Sequence, residues 1–290
     1  MLNPYFINII ILVGIYSILA VSLNLVLGFT GLINLGHVAL FGVGAYTSAL
    51  LTKAGAPFIV GFFSAGLTAA LFGFIIIFAT KKLKGDYFAL ASLGFAFVIG
   101  SLMLNLQWLT RGPLGIVGIE RPNIFGFVLN TPVEYLIFVI IIASISIFAM
   151  RRVVNSPFGR LLHAVRNDEI GLRVLGKNTF LIKIKTMIVA GFFAGLAGSL
   201  FAHYIRFIEP SSFFLSEIIF VLSIVIIGGI ASISGSVVAT ALLLFIPEIL
   251  RFLPLQSNLL GAMRQIIYSI LLLVILVFRP RGLLGRIDLE

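Results

Sequence analysis

Residues 5–27 form an apolar run without a single charged side chain, and runs of this kind recur to the end of the chain. That feature constrains the fold more than any other. Inside a bilayer every backbone N–H and C=O must be satisfied within the spanning segment itself. A helix does this with about 20 mostly apolar residues. Soluble domains are about half apolar and a quarter charged. Here 60% of 290 residues are apolar, 10% are charged and the mean hydropathy is +1.20. The chain is expected to be an all-α polytopic membrane protein with about eight to ten transmembrane helices, forming one transmembrane domain over residues 1–290. No phosphate loop of the Walker type occurs, and such a loop is what a nucleotide-binding domain needs to cradle phosphates. The absence of cysteine excludes disulfides and thiolate metal sites.

Nine spans are expected: 5–27, 37–52, 58–80, 87–106, 133–150, 186–204, 213–227, 235–253 and 262–278. The short stretches 37–52 and 213–227 are candidates for partial or re-entrant segments. Gly94 and Gly100 mark candidate bends in the fourth span, and residues 107–131 read as an external loop. The first run has no basic leader and no small-residue cleavage site, so it reads as a span rather than a signal peptide. The net charge is +10. In a membrane protein this excess belongs to cytoplasmic loops, and nucleic acid is not an expected partner. Three basic clusters stand out: Lys81, Lys82 and Lys84; the polar segment 151–185; and Arg279, Arg281 and Arg286. Placing all three in the cytoplasm fits nine spans, with the N-terminus outside and the C-terminus inside.

Two glycine-rich breaks interrupt the apolar runs, at residues 28–36 and 228–235. Aligning Gly36 with Gly235 also aligns Lys82 with Arg281, at an offset of about 199 residues, which is the mark of a candidate internal repeat. Glycine-interrupted segments in corresponding halves point to a translocation path. The candidate path residues are therefore Gly31, Asn34, Gly36, His37, Gly228, Gly229 and Gly235. For His37 two readings stand, a hydrogen bond to a transported solute and a structural bond. His163 and His203 have no metal-ligating partner at helical spacing, so no metal site and no cofactor are expected. Glu217, Glu248 and Arg264 lie in or near spans, where ionisable groups are costly and pair or line a cavity. Glu248 with Arg264 is a candidate pair; snorkelling at the interface is the alternative.

Segment 151–185 is the one long polar stretch. Ser156 suits an N-cap and Pro157 the first helical position. Phe158, Leu161, Leu162, Val165 and Leu172 then recur at helical spacing, with Arg160, Arg166, Asp168, Glu169 and Arg173 mostly off the stripe and Gly176 as a stop. Such a helix either lies in the headgroup region or enters a groove on a partner.

This segment resembles the cytoplasmic coupling segment of ATP-binding-cassette (ABC) importer permeases, and more narrowly the branched-chain amino-acid permease family, LivM type. The family pattern S-x-F-G-R-x-L-x-A-x-R-x-D-E-x-x-A-x-x-L-G is met at Ser156, Phe158, Gly159, Arg160, Leu162, Ala164, Arg166, Asp168, Glu169, Leu175 and Gly176, whereas Gly171 and Leu172 stand where the family often has two alanines. Residues 31–46 are similar to G-x-x-x-L-G-H-x-A-x-x-G-x-G-A-Y, and residues 85–90 to G-D-Y-x-A-L. Residues 110–116 are similar to T-x-G-P-x-G-I, and residues 279–285 to R-P-x-G-L-L-G. The matches fall in order over nearly the whole chain. The resemblance implies a permease subunit of the bacterial or archaeal plasma membrane, importing leucine, isoleucine or valine by alternating access. Its implied partners are a second homologous permease, two cytoplasmic ATPase subunits and an extracytoplasmic substrate-binding protein. The coupling residues it implies are Phe158, Gly159, Arg160, Leu161, Leu162, Val165, Arg166, Asp168, Glu169 and Gly176. A urea or amide permease of the same family is the near alternative. An ion-coupled secondary transporter is the alternative from another class. An intramembrane enzyme finds no serine–histidine or paired-aspartate pattern within the spans.

Overall fold

The structure is a computed structural model that describes residues 4–83, 85–124, 126–250, 266–267, 269–274, 277 and 281–285, side chains at 4 and 246–250 excepted. Its elements in chain order are α1 (Pro4–Thr30), α2 (His37–Lys53), α3 (Phe58–Ala79), α4 (Asp86–Asn105), the short α5 (Gln107–Thr110), α6 (Pro132–Asn155), α7 (Pro157–Asn167), α8 (Glu169–Val174), α9 (Thr179–Ile205), α10 (Leu215–Gly228) and α11 (Ile233–Leu250). Among the described residues six helices are long and apolar enough to cross a membrane, in α1, α3, α4, α6, α9 and the segment Pro210–Gly228; Ile233–Phe245 is a shorter apolar helix. The fold is an all-α polytopic membrane protein. Residues 262–265, 268, 275–276 and 278 of the expected ninth span, 262–278, and the side chains of the candidate pair Glu248–Arg264 lie outside the described residues.

α1, α2 and α9 form the centre. Residues 15–30 of α1 are buried without interruption. α2 buries thirteen of its seventeen residues, so the expected second span is an internal helix with no lipid-facing side. Its close contact with α9 comes from small residues. A methyl group on Gly195 of α9 would stand 2.2 Å from the Ala65 carbonyl oxygen of α3, and one on Gly44 of α2 would stand 2.4 Å from Gly195 Cα. Helices in lipid gain association from this kind of backbone approach. Tyr16, Phe41, Phe201, Phe213 and Phe220 join α1, α2, α9 and α10 in an aromatic cluster with centroid separations of 5.4–6.4 Å. α4 and α6 form the periphery and expose many apolar side chains.

Several expected boundaries move for identifiable reasons. α1 runs to Thr30, whose hydroxyl bonds the Val26 carbonyl, and stops at Gly31 with φ +74°. α4 runs unbroken through Gly94 and Gly100. α9 starts at Thr179 rather than 186, because Asn178 caps it by accepting the Leu181 N–H. The loop 107–131 is ordered by short pairings, Ile116–Val117 with Phe207–Ile208 and Asn123–Ile124 with Phe127–Val128. Thr131 and Glu134 form a reciprocal capping box at the start of α6.

Candidate functional site

Both glycine breaks lie at the end of the bundle occupied by α7, and they touch. At the first break, the Leu35 amide donates to Ser92 Oγ (3.0 Å) and the Gly36 amide to Asn34 Oδ1 (3.0 Å). His37 Nε2 is 2.8 Å from Ser22 Oγ on α1, and its Nδ1 is 3.5 Å from Asn34 Nδ2. This is the structural bonding that the sequence left open for His37. At the second break the organiser is Asn24, six residues before the end of α1. Its amide nitrogen reaches the carbonyls of Gly229 (3.3 Å) and Ser232 (3.1 Å) and Ser236 Oγ (2.7 Å), and its Oδ1 accepts from the Ala231 amide (3.0 Å). Ala231 is held at φ +59°, a conformation that costs an L-residue roughly 1–2 kcal/mol.

The end of α10 leaves carbonyls without helical partners, and the C-terminal motif supplies them. Leu283 donates to the Ile227 carbonyl (2.8 Å) and Leu284 to the Gly228 carbonyl (3.1 Å). Gly229, at φ +107°, allows this approach: a methyl group there would stand 2.3 Å from the Gly285 nitrogen.

Of the candidate path residues, Asn34, Gly36, His37, Gly228, Gly229 and Gly235 are buried in protein, and Gly31 is exposed. A cavity of about 210 Å³ opens beside the second break, between Phe29, Arg151, His163, Ala231 and Ser234. The two breaks meet where Gly28 packs on Ala231: a methyl group on Gly28 would stand 2.5 Å from the Ala231 nitrogen.

The polar segment joins this site from the side. Ser156 caps α7 by accepting the Phe158 and Gly159 amides, and Asp168 caps α8 by accepting the Gly171 amide. Arg166 donates to the Gly28 carbonyl, and its stem lies against Gly31. Burial lowers the Arg166 pKa, as expected for a guanidinium drawn off the surface. His163 packs edge-on against Phe29 at 5.1 Å. Glu169 binds Lys183 (2.9 Å), Arg173 and the Thr179 hydroxyl (3.0 Å), which fixes α8 to α9. Burial alone would raise the Glu169 carboxylate; the hydrogen bond and charge of Lys183, with Thr179 and Arg173, outweigh it and hold the group below its ordinary range.

The apolar stripe of α7 turns inward. Leu162 and Val165 are 0% and 4% exposed, and Phe158 and Leu161 are partly buried against the chain's own core. A stripe that was expected to enter a partner's groove is thus covered by the chain itself, because the bundle end offers an apolar seat. Gly159 is buried, while Arg160, Asp168 and Gly176 are exposed. The outward apolar residues are Ile170, Val174 and Leu175, at 69%, 82% and 76% exposure. Sequence reasoning missed these three, together with Asn24, Ser22 and Ser92. An asparagine in a charge-free apolar run was the available signal, since lipid cannot satisfy it.

The fold brings two serine–histidine pairs together, Ser22 with His37 and Ser48 with His203 (2.9 Å). Neither presents a nucleophile. Ser22 is fully buried and donates to the Leu19 carbonyl; Ser48 is fully buried and shared with Ser199 at 2.7 Å. Glu217 on α10 receives the Tyr16 hydroxyl, while its buried Oε1 has no partner among the described residues.

The chain matches, over residues 5–276, the family described as branched-chain amino acid transport system / permease component. It is 35% identical to the high-affinity branched-chain amino acid transport system permease protein LivM of Escherichia coli strain K12, over 96% of this chain and 69% of that protein. It is 25% identical to a probable LivM of Methanocaldococcus jannaschii, over 93% of this chain and 90% of the relative. It is 24% identical to LivH of the same E. coli strain, over 95% and 92%. No solved structure matches it with significance. The chain belongs to the family of branched-chain amino-acid ABC transporter permeases.

Proposed function

We propose that the chain is the membrane subunit of an ATP-driven importer for leucine, isoleucine or valine. It pairs with a second, similar permease. Two cytoplasmic ATPase subunits bind segment 151–185, and an extracytoplasmic binding protein delivers the solute to the opposite end. The N-terminus is outside and the C-terminus in the cytoplasm. The gathering of Lys81, Lys82, Arg166, Lys183 and the 281–285 motif at one end of the bundle supports this orientation.

One observation carries the mechanism: Arg166 ties α7 to the last turn of α1, where Gly28 meets the second break that Asn24 holds from the turn before. A displacement of α7 and α8 by an ATPase therefore pulls on both breaks at once. The breaks hold the path shut with side-chain bonds from Ser22, Asn24, Asn34 and Ser92, and alternating access exchanges those bonds for others. The docking face is Ile170, Val174 and Leu175, continued by Arg160 and Asp168; Leu162 and Val165 seat the helix on its own bundle. Co-expression with candidate ATPase subunits tests the reading. Ile170→Asp/Val174→Asp is expected to lose the ATPase on purification while the permease stays folded. Full recovery of the complex by that variant refutes the docking face.

A further inference from the structure

A cavity of about 340 Å³ lies between the ends of α3 and α9 and the start of α4, at the end of the bundle that carries α7 and α8. Five cations line it, Lys81, Lys82, Arg173, Lys177 and Lys183, against one carboxylate, Glu169. Arg173 and Lys183 share that carboxylate. Lys82 and Lys177 have no ion-pair partner among the described residues. The cluster differs from a solvated basic loop in two respects. Lys183 is only 12% exposed, and Lys81 sits 5.1 Å above the Phe180 ring. Asn178, Thr179 and Phe180 also line the cavity, so the positive end of the 27-residue α9 opens into it. Asn178 already takes the Leu181 amide; the remaining first-turn amides lack helical acceptors and favour an anion.

Directly beside Lys81 and Lys82, α3 exposes Leu67, Leu71, Ile75 and Phe78 along one side, at 41–64%. From Leu67 to Phe78 the stripe rises about 16 Å, close to half of a hydrocarbon core of about 30 Å. An apolar track one leaflet long thus ends in a cationic cavity.

We propose that this cavity binds the phosphate headgroup of an anionic phospholipid whose acyl chains lie along the α3 stripe. The headgroup completes the charge around Glu169, and so braces the joint between α8 and α9 that carries the coupling segment. A phosphate monoanion is the shared chemistry of lipid and free phosphate; the α3 track favours the lipid.

The test uses the full chain purified in neutral detergent, titrated with phosphatidylglycerol, phosphatidylcholine and inorganic phosphate, with bound lipid read by native mass spectrometry. Phosphatidylglycerol is expected to bind in preference to phosphatidylcholine and to stay bound in millimolar inorganic phosphate. Lys81→Gln/Lys82→Gln is expected to weaken phosphatidylglycerol about thirty-fold, from two near-surface cations. Lys177→Gln, an exposed position, gives a smaller loss in the same direction. Arg151→Gln/Arg152→Gln, an equal charge change at the end of α6, leaves binding unchanged. Four results overturn the proposal: equal binding of the two lipids, an equal loss in the 151/152 pair, displacement of the lipid by inorganic phosphate, or expulsion of the lipid when the second permease covers α3.

Discussion

Removing the Asn24 side chain isolates the energetics of the second break. In Asn24→Ala, the Gly229 carbonyl keeps the Ser232 amide (3.2 Å), and the Ser232 carbonyl keeps the Ser236 amide (3.1 Å). Ser236 Oγ still donates to the Ser232 carbonyl at 3.2 Å. The group left without a partner is the Ala231 N–H, which is buried and has Asn24 as its acceptor. An orphaned buried donor costs about 1–3 kcal/mol. The bond to Ser236, lost as well, adds about 0.6 kcal/mol on the membrane-protein scale. The sum is roughly 2–4 kcal/mol, enough to lower the melting temperature of the detergent-solubilised protein by several degrees. Ala231 provides the control. Its positive φ is strained, so Asn24→Ala/Ala231→Gly is expected to recover about 1 kcal/mol of the loss. Thermal unfolding of the wild type and the two variants, followed by circular dichroism, reads the series. Wild-type stability in Asn24→Ala, or no recovery in the double variant, refutes the assignment of Asn24 as the clamp on this break.

Other expectations are independent of that clamp. Glu169 has its carboxylate held low by Lys183. Its contribution is complete above the ordinary carboxylate range and fades as pH falls through and below about 4.5. Protease protection of segment 151–185 should therefore drop on acidification in the wild type and be pH-independent in Glu169→Gln. Gly195→Leu forces a side chain into the Ala65 carbonyl oxygen 2.2 Å away, so folded protein recovered from membranes should fall steeply, while Gly94→Leu, with open space around it, should be tolerated. Cysteine introduced at Lys82 or Arg160, in a chain that has none, should react with impermeant maleimide only after the cells are opened; reaction in intact cells reverses the orientation.

The fold class was legible in the apolar runs, because backbone satisfaction in lipid leaves few alternatives. The family was legible in spaced motifs. What hydropathy does not encode is what covers a given face. α2 reads as a short span from its uncharged run, yet Gly44 and Gly195 draw it into the centre of the bundle. The α7 stripe has the periodicity of an amphipathic helix, and that periodicity is the same whether Leu162 meets lipid, a partner or its own bundle. The two breaks were readable as glycine clusters, but their bonding depends on Asn24 and Ser92, which lie far from the breaks they serve or on another helix.

Coupling through Arg166 is tested most directly by measuring ATP hydrolysed per labelled leucine imported, with Arg166→Ala in the assembled complex reconstituted into vesicles. Ile170, Val174 and Leu175 are untouched in this variant, so the ATPase should still bind. With the tether to the Gly28 carbonyl gone, hydrolysis should continue while leucine import falls at least tenfold, raising the ratio by the same factor. An unchanged ratio at unchanged import contradicts transmission from α7 to the breaks.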